Sequence, residues 1–190
     1  MSKRPSGDEL GFRELMLSDL ARYRADANPG WRHVLVRCLT IPGLLASLIL
    51  RAQQCLHRAG HTKLADVLRT VGNVVIGVDF GPGMTVGTGL MLAHPNGVTL
   101  GYGVTIGDNV TMAGGVTAAA RHYDRSGRQE FPTICDGVTL GANAVLVGGV
   151  RIGENATVGA NSVVLSDVPD NWVVLGVPAR PVKQRDSAPD

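Results

Sequence analysis

The chain of 190 residues carries 18 Lys and Arg against 16 Asp and Glu, with a formal net charge of +2, and has 4% aromatic residues beside 25 glycines. This length suits one domain with an appendage, and the nearly balanced charge lacks the basic stripe that would indicate nucleic-acid binding. Few aromatic rings and many glycines favour a fold of narrow sides and tight corners over a β-sandwich.

The N-terminal stretch 1–7 is polar and lacks the apolar segment of a signal peptide, so a cytoplasmic protein is predicted. The longest apolar run, 39–50, contains Pro42 and is shorter than the about 20 residues that a membrane-spanning helix needs. We therefore expect no stable membrane insertion. The cysteines are odd in number and widely spaced, which indicates buried, reduced side chains rather than a disulfide frame or a metal site. They are Cys38, Cys55 and Cys135.

Four helices are predicted before the chain changes character. The first covers 9–27, where apolar residues recur at helical spacing, and it ends at the breaker triplet 28–30. The others are expected over 31–39, 44–58 and 63–71. From Val74 onward branched residues alternate with Gly and Thr, which is typical of strands. We therefore assign 1–72 to an N-terminal helical region.

A six-residue repeat of apolar side chains dominates the rest of the chain and outranks any local propensity. Its members are Phe80, Val86, Leu92, Leu100, Ile106, Met112, Ile134, Leu140, Leu146, Ile152, Val158 and Val164. This period builds a triangular prism in which each hexad forms one short side and three hexads complete a coil. The predicted fold class is therefore mainly β, a parallel β-helix of hexapeptide repeats over 73–183, with an N-terminal α-helical cap.

Two interruptions break the repeat. Two extra residues fall between Leu92 and Leu100, and His94 lies among them. A long polar loop is predicted over 117–133, and such a loop on a regular solenoid is usually functional or disordered. The last residues, 184–190, are polar and are expected to form a flexible tail.

From about Phe12 to Val182 the chain resembles the serine O-acetyltransferase branch of the hexapeptide-repeat acyltransferases. The motifs that carry the resemblance are 92–101 (LAHPNGVTLG), 106–111 (IGDNVT), 158–164 (VGANSVV) and 176–180 (GVPAR). The resemblance implies a left-handed coil and acyl-CoA-dependent acyl transfer with acetyl-CoA as the donor. It also implies a homotrimer, or a dimer of trimers, whose active sites lie between neighbouring prisms.

By this resemblance His94 matches the catalytic base and Asp79 the carboxylate that orients it. A positioned histidine can remove the proton of a hydroxyl as that hydroxyl attacks a thioester. A carboxylate bonded to the other ring nitrogen fixes the tautomer and stabilises the imidazolium. The residues alone also allow a polar turn histidine and a solvated corner carboxylate. His122, in the late loop, is a possible second acid or base, or a solvent-exposed loop residue.

The resemblance also implies where the cofactor lies. Small residues stand at the prism corners near which the family places the pantetheine arm, namely Gly141, Ala142, Gly159 and Ala160. Small side chains at hexad corners have a simpler explanation in the fold itself. Arg180 in the tail is a candidate for the cofactor's phosphates or an ordinary exposed arginine. No metal is expected.

The chain departs from the family at the groups that hold the amino acid. Ala93 stands where the family has an Asp, Asn28-Pro29 where it has Asp-Pro, and Glu130-Phe131-Pro132 where it has Arg-His-Pro. An ammonium buried without its carboxylate would cost several kcal/mol. We therefore predict a small-molecule acceptor hydroxyl on something other than free serine, such as a sugar, a nucleotide-linked sugar or a specialised metabolite. The predicted acceptor pocket consists of Asn28, Ala93, Phe131 and Arg121.

Three alternatives remain open. The first is a genuine serine O-acetyltransferase of cysteine biosynthesis, with loop residues taking over recognition of the amino acid. The second is a zinc enzyme of the γ-type carbonic anhydrase kind, which needs three histidines, whereas the prism half offers His94 and His122. The third is a non-catalytic binding or scaffold protein. The sequence ends in 187–190 (SAPD) without the terminal Ile that docks a sulfhydrylase, so we expect no such complex.

Overall fold

The structure is a computed structural model that describes residues 10–23, 31–121 and 129–184. Within these residues, helices occupy the N-terminal part and short strands the rest. The helices are α1 (Phe12–Ala21), α2 (Trp31–Cys38), α3 (Pro42–Arg58) and α4 (Thr62–Ile76). The strands are β1 (Asp79–Phe80), β2 (Thr85–Val86), β3 (Met91–Ala93), β4 (Thr99–Leu100), β5 (Thr105–Ile106), β6 (Thr111–Ala113), β7 (Thr117–Ala119), β8 (Thr133–Ile134), β9 (Thr139–Leu140), β10 (Val145–Val147), β11 (Arg151–Ile152), β12 (Thr157–Val158), β13 (Val163–Val164), β14 (Trp172–Leu175) and β15 (Arg180–Gln184).

The strands form the three sides of a parallel β-helix, as the six-residue repeat predicts. The first side has the order β1-β4-β7-β10-β13, the second β11-β8-β5-β2, and the third β15-β14-β12-β9-β6-β3. Only the last strand, β15, runs antiparallel to its neighbour. The chain thus visits the three sides in turn through about four coils, consistent with the left-handed hexapeptide-repeat helix.

The register between coils locates both interruptions. Asp79 pairs with Thr99, twenty residues later, whereas Thr99 pairs with Thr117, eighteen residues later. The first coil therefore contains the two extra residues near His94. Thr105 pairs with Thr133, so the polar loop is inserted without disturbing the ladder.

The interior of the prism is the hydrophobic core. All twelve apolar members of the repeat are buried, with no more than 2% of each residue's reference surface exposed. Each such burial stabilises the fold by about 1.5–3 kcal/mol as an upper estimate. Threonines commonly precede the buried residue and point outward, so each short strand alternates as a half-buried strand should.

The change from helix to strand comes later than the sequence predicts. Helix α4 continues through Gly72 and the branched Val74 to Ile76. It ends at Gly77, whose backbone has φ 78° and whose N–H donates to the carbonyls of Asn73 and Gly72. A glycine in the left-handed region is a common helix end. Packing of α4 on α3 overrides the strand propensity of branched residues.

The polar loop is shorter than predicted. Residues Thr117–Ala119 form β7, and Ala118 is fully buried because it continues the six-residue repeat after Met112. The connection to β8 is therefore 120–132, of which 122–128 lie outside the described residues. At the C-terminus Gln184 still belongs to β15, and 185–190 lie outside the described residues.

Two further expectations change in the helical part. Helix α1 ends at Ala21 rather than at residue 27, and 24–30 lie outside the described residues. All three cysteines are free thiols, but only Cys38 is buried; Cys55 is exposed and Cys135 is half-buried.

None of the described helices is by itself long and apolar enough to cross a bilayer. Helices α2 and α3 reach that length and composition only together, and they meet at 115°.

A buried ion pair attaches the helices to the first coil. Arg51 of α3 donates from Nε and Nη2 to the carboxylate of Asp19 in α1, both at 3.0 Å, and both side chains are fully buried. The same guanidinium donates to the carbonyls of Val86 (2.9 Å) and Gly87 (2.6 Å) at a corner of the prism. Asp19 also accepts from the N–H of Leu90 at 2.8 Å. The pair therefore ties α1, α3 and the first coil into one unit.

Candidate active site

His94 occupies the irregular corner that follows β3. Its backbone lies in the left-handed region with φ 55°, and the residue is exposed. Asparagines at other corners of the prism, such as Asn109 and Asn143, share this conformation, and His94 takes the same corner geometry with an imidazole in place of an amide. The residue borders a pocket of about 320 Å³ between the third side of the prism and the turn that joins α2 to α3.

The corner is fixed by the backbone of the coils before and after it. The N–H of Gly97 donates to the carbonyl of Gly77 at 2.7 Å, and the N–H of Gly115 donates to that of Asn96 at 2.9 Å. Gly114 stacks so closely that a Cβ there would lie 2.4 Å from the carbonyl oxygen of His94. The two extra residues thus form a rigid corner that presents the imidazole to solvent.

Residues of the helical cap form the other wall of the His94 pocket. The hydroxyl of Tyr23 donates to the carbonyl of Leu92 and accepts from its N–H, both at 3.0 Å. Burial raises the pKa of Tyr23 to about 12, so its phenol stays protonated. A Cβ on Gly43 would lie 1.9 Å from the carbonyl oxygen of Leu92, so only glycine allows this approach. Thr40 adds a hydroxyl to the pocket.

Asp79 lies at the start of β1, where α4 supplies its partner. Its carboxylate accepts hydrogen bonds from Nε and Nη2 of Arg69, the second at 2.9 Å. Arg69 also donates from Nη1 to the hydroxyl of Tyr102 at 2.6 Å, and its guanidinium lies 5.0 Å from the centre of that ring. The bonds from Arg69 hold the pKa of the Asp79 carboxyl below its ordinary value of 3.8. These side chains line a second, polar pocket of about 420 Å³.

Within a single chain, His94 and Asp79 line different pockets. They nevertheless lie on either side of one corner of the prism, because Asn96 and Gly97 stack beside Gly77. The hydrogen bonds found for the Asp79 carboxylate come from Arg69. The pairing of Asp79 with His94 therefore stays a prediction that involves a second copy of the chain.

The remaining predicted acceptor residues separate in the same way. Ala93 is half-buried at the end of β3 and lines the His94 pocket. The ring of Phe131 instead covers Gly101 and Gly103, on either side of Tyr102, and does not line the His94 pocket.

Of three further predicted site residues, one lines another pocket and two lie outside the described residues. Arg121 packs against Gly148 and lines a third pocket, together with Glu130 at the other end of the loop. Asn28 and His122 lie outside the described residues, so the structure leaves their roles as predictions.

The predicted cofactor residues form a column at one corner of the prism. Gly141 stacks on the peptide between Gly159 and Ala160, where a Cβ would lie 2.5 Å from the nitrogen of Ala160. A Cβ on Gly159 would in turn lie 1.9 Å from Cδ2 of Leu175. Coil stacking alone thus requires these glycines, while exposed Ala142 and Ala160 leave a smooth outer face. Arg180 is exposed on β15. Among the described residues no group of three His, Cys, Asp or Glu could hold a metal.

Motif reasoning finds His94, Ala93 and Asp79 but misses Tyr23, Thr40, Gly43, Arg69 and Tyr102. His94 and Ala93 sit in a conspicuous break of the repeat, and Asp79 is found by the family resemblance. The others belong to helices and turns without a motif, and only the folded chain brings them to the corner.

Comparison with known proteins agrees with this fold. The family model described as bacterial transferase hexapeptide (six repeats) matches residues 131–166. Serine acetyltransferase of Bacillus subtilis is 35% identical over 159 residues, which cover 84% of this chain and 72% of that protein. The enzyme of Synechococcus elongatus is 32% identical over 155 residues, 82% of this chain and 63% of that protein. The chain thus spans less than two thirds of the Synechococcus protein.

Solved structures give the same picture. Serine acetyltransferase of Neisseria gonorrhoeae superposes with a TM-score of 0.82 at 36% identity, covering 94% of this chain and 68% of that one. A second structure of the Neisseria enzyme, in complex with serine, has a TM-score of 0.78 at 36% identity and covers 90% and 69%. That of Brucella abortus, in complex with coenzyme A, has a TM-score of 0.79 at 28% identity and covers 92% and 68%.

The parallel coil of hexads, together with the matching family model, places the chain in the hexapeptide-repeat class. With these relatives, the chain belongs to the serine acetyltransferase family.

Proposed function

We propose that this chain is an O-acetyltransferase that moves the acetyl group of acetyl-CoA to the hydroxyl of serine. The observation that carries the proposal is the irregular corner that places His94 beside a pocket of about 320 Å³. Serine as the acceptor is supported by the relatives, since the similar proteins reported above are serine acetyltransferases and one of their structures holds serine. They favour serine over the different acceptor that the sequence departures predict.

The proposed reaction is a direct transfer. His94 takes the proton of the acceptor hydroxyl while the oxygen attacks the thioester carbonyl carbon. The C–S bond of the tetrahedral adduct then breaks, and the coenzyme A sulfur leaves with the proton that the imidazolium returns. The products are the O-acetyl ester and free coenzyme A, and no acyl-enzyme is formed.

The proposed site is shared between two copies of the chain. One copy supplies His94 and Ala93, and its neighbour supplies Asp79, whose pocket opens separately. A homotrimer, or a dimer of trimers, would provide this arrangement at each junction of prisms. Helix α4 offers an apolar face that a neighbour would cover. Its members are all exposed, namely Leu64, Val67, Val71, Val74 and Val75.

Coenzyme A would lie along the column of small corner residues. Exposed Ala142 and Ala160, one coil apart, let the pantetheine arm approach the backbone closely. Arg180 on β15, near the end of that column, is the proposed partner of the phosphates. The structure of the Brucella relative with coenzyme A supports a thiol cosubstrate.

A larger acceptor of low charge is the second candidate, because the His94 pocket has few charged lining residues. Apart from His94 itself, its described lining residues carry no charged side chain, and Ala93 offers no carboxylate to an ammonium. A further cavity of about 330 Å³ shares Thr40, Pro42 and Asn96 with it. Together the two neighbouring cavities suit a larger hydroxyl compound of low charge, such as a sugar.

Thiol release from acetyl-CoA, measured against a panel of acceptors, decides between the two. The panel contains serine, homoserine, free sugars and nucleotide-linked sugars. We expect serine to give the highest kcat/KM. A sugar preferred over serine by tenfold or more would establish the second acceptor. The absence of thiol release with every compound would contradict acetyl transfer and return the chain to the scaffold alternative.

A further inference from the structure

Arg69, on helix α4, lines the Asp79 pocket of the proposed site. Its Nε and Nη2 donate to the carboxylate of Asp79, and its Nη1 donates to the hydroxyl of Tyr102. The Tyr102 ring lies against the guanidinium, 5.0 Å from its carbon. All three nitrogens of the guanidinium therefore donate hydrogen bonds, and the Asp79 carboxylate cannot rotate without breaking a bidentate pair.

Stability alone gives little reason for this arrangement. The Arg69 and Asp79 side chains are 32% and 29% exposed, and ion pairs at such positions contribute about 0–1 kcal/mol. Helix α4 is already anchored by fully buried Ala65 and by Gly72 packed against Ile49. The main consequence of the pair is thus on the carboxylate itself.

The charges that face Asp79 come from two elements. Helix α4 contributes the cation of Arg69 and the carboxylate of Asp66, and the turn after β4 contributes the phenol of Tyr102. The neighbouring strand presents only the neutral Thr99 opposite Asp79. Among the described residues that line this pocket, Arg69 is the cationic one, and it is hydrogen-bonded directly to Asp79.

We infer that Arg69 is a positioning residue of the proposed reaction, which holds Asp79 as an anion in one orientation toward the histidine of the neighbouring copy. The inference rests on the proposed function, in which Asp79 orients His94. It adds a third member, Arg69, with Tyr102 supporting its far side. Neither residue touches the reacting atoms.

The sign of the effect follows from the charges. Removing the Arg69 cation leaves the Asp79 anion uncompensated, so a nearby imidazolium becomes more favourable. The base is then protonated at higher pH, and activity at low pH falls. The loss of the bidentate clamp also frees the carboxylate to rotate, which lowers kcat at every pH.

The test is the pH profile of kcat/KM for thiol release, measured on the assembled protein with acetyl-CoA and the best acceptor. For Arg69→Gln we expect the acid limb to move up by about half a pH unit and kcat to fall roughly tenfold. Arg69→Lys keeps the positive charge but cannot form the bidentate pair. The acid limb of its pH profile should therefore stay in place while kcat falls. The control Lys63→Gln removes an exposed cation from the same helix and should leave the profile unchanged.

Two outcomes contradict the inference and can be told apart. If Arg69→Gln matches the unmodified protein while Asp79→Asn and His94→Ala lose activity, Arg69 has no role and the proposed function stands. If Asp79→Asn keeps the full rate, or no acceptor is acetylated, the proposed site fails and the role of Arg69 fails with it.

Discussion

At the scale of single residues, Ala93 decides how the proposed pocket treats an ammonium. It lies next to His94 and lines the same pocket. We predict that Ala93→Asp lowers KM for serine about tenfold, because a charge-assisted hydrogen bond contributes about 1.5–3 kcal/mol. Initial rates at varied serine measure this. Ala93→Asn is the matched neutral control, and equal KM values for the two variants would contradict the prediction.

Gly43 is the second residue whose identity the pocket requires. A Cβ there would collide with the carbonyl oxygen of Leu92 at 1.9 Å and with the Tyr23 hydroxyl at 2.5 Å. We predict that Gly43→Ala lowers the free energy of unfolding by about 1–3 kcal/mol, the usual cost of overpacking. Urea denaturation gives the value. Gly83→Ala, where the nearest atom lies 3.4 Å away, is the control, and equal stability of both variants would contradict the clash.

The functional residues divide by whether a sequence signal marks them. His94 and Ala93 stand in a break of the repeat, so a motif finds them. Arg69 and Tyr102 lie 33 positions apart and meet only through the packing of α4 on the first coil. No spacing rule along the chain connects them, because the distance depends on how a helix docks on a prism.

At the scale of elements, the buried pair of Arg51 and Asp19 holds the helical cap on the prism. We predict that Arg51→Met lowers the free energy of unfolding by about 3–5 kcal/mol, because it leaves a buried carboxylate without its cation. The double variant with Asp19→Leu should recover part of the loss. Arg13→Met, an exposed arginine of α1, should change stability by less than about 0.5 kcal/mol. A single variant as stable as the control would contradict this account.

The elements differ in how far their pattern determines them. The strands of the prism follow from the repeat, because each short strand from β1 to β13 turns one residue at the repeat position into the core. The end of α4 does not follow, since its branched residues have strand propensity and only Gly77 and the packing on α3 end the helix where it ends. Likewise Ala118 belongs to β7, because it takes the next repeat position after Met112, although the polar loop is expected to begin at residue 117.

At the scale of the whole molecule, the exposed apolar face of α4 predicts that the protein is an oligomer. Val74 is 79% exposed on that face. We expect Val74→Glu to shift the sedimentation coefficient from a trimer, or a dimer of trimers, to a monomer, because a buried carboxylate is costly at an interface. Acetyl transfer should fall with it while the circular dichroism spectrum is kept. Val182→Glu, on exposed β15, is the control, and an unchanged assembly in Val74→Glu would contradict the prediction.

The fold of the whole molecule could be predicted from the sequence, and half of the candidate site with it. The repeat defines the prism and its breaks mark His94. The other half, around Asp79, could not be located relative to His94, because in one chain the two side chains line separate pockets. A site shared between copies depends on an assembly that a single sequence does not display.

The measurement that tests the central claim most directly is thiol release from acetyl-CoA in the presence of serine, compared between the unmodified protein and His94→Ala. A general base contributes about 10²–10⁴-fold, so we predict that kcat/KM falls at least 100-fold in the variant while its folded assembly is retained. Serine-dependent release that is as fast in His94→Ala as in the unmodified protein would contradict the assignment of His94 as the base.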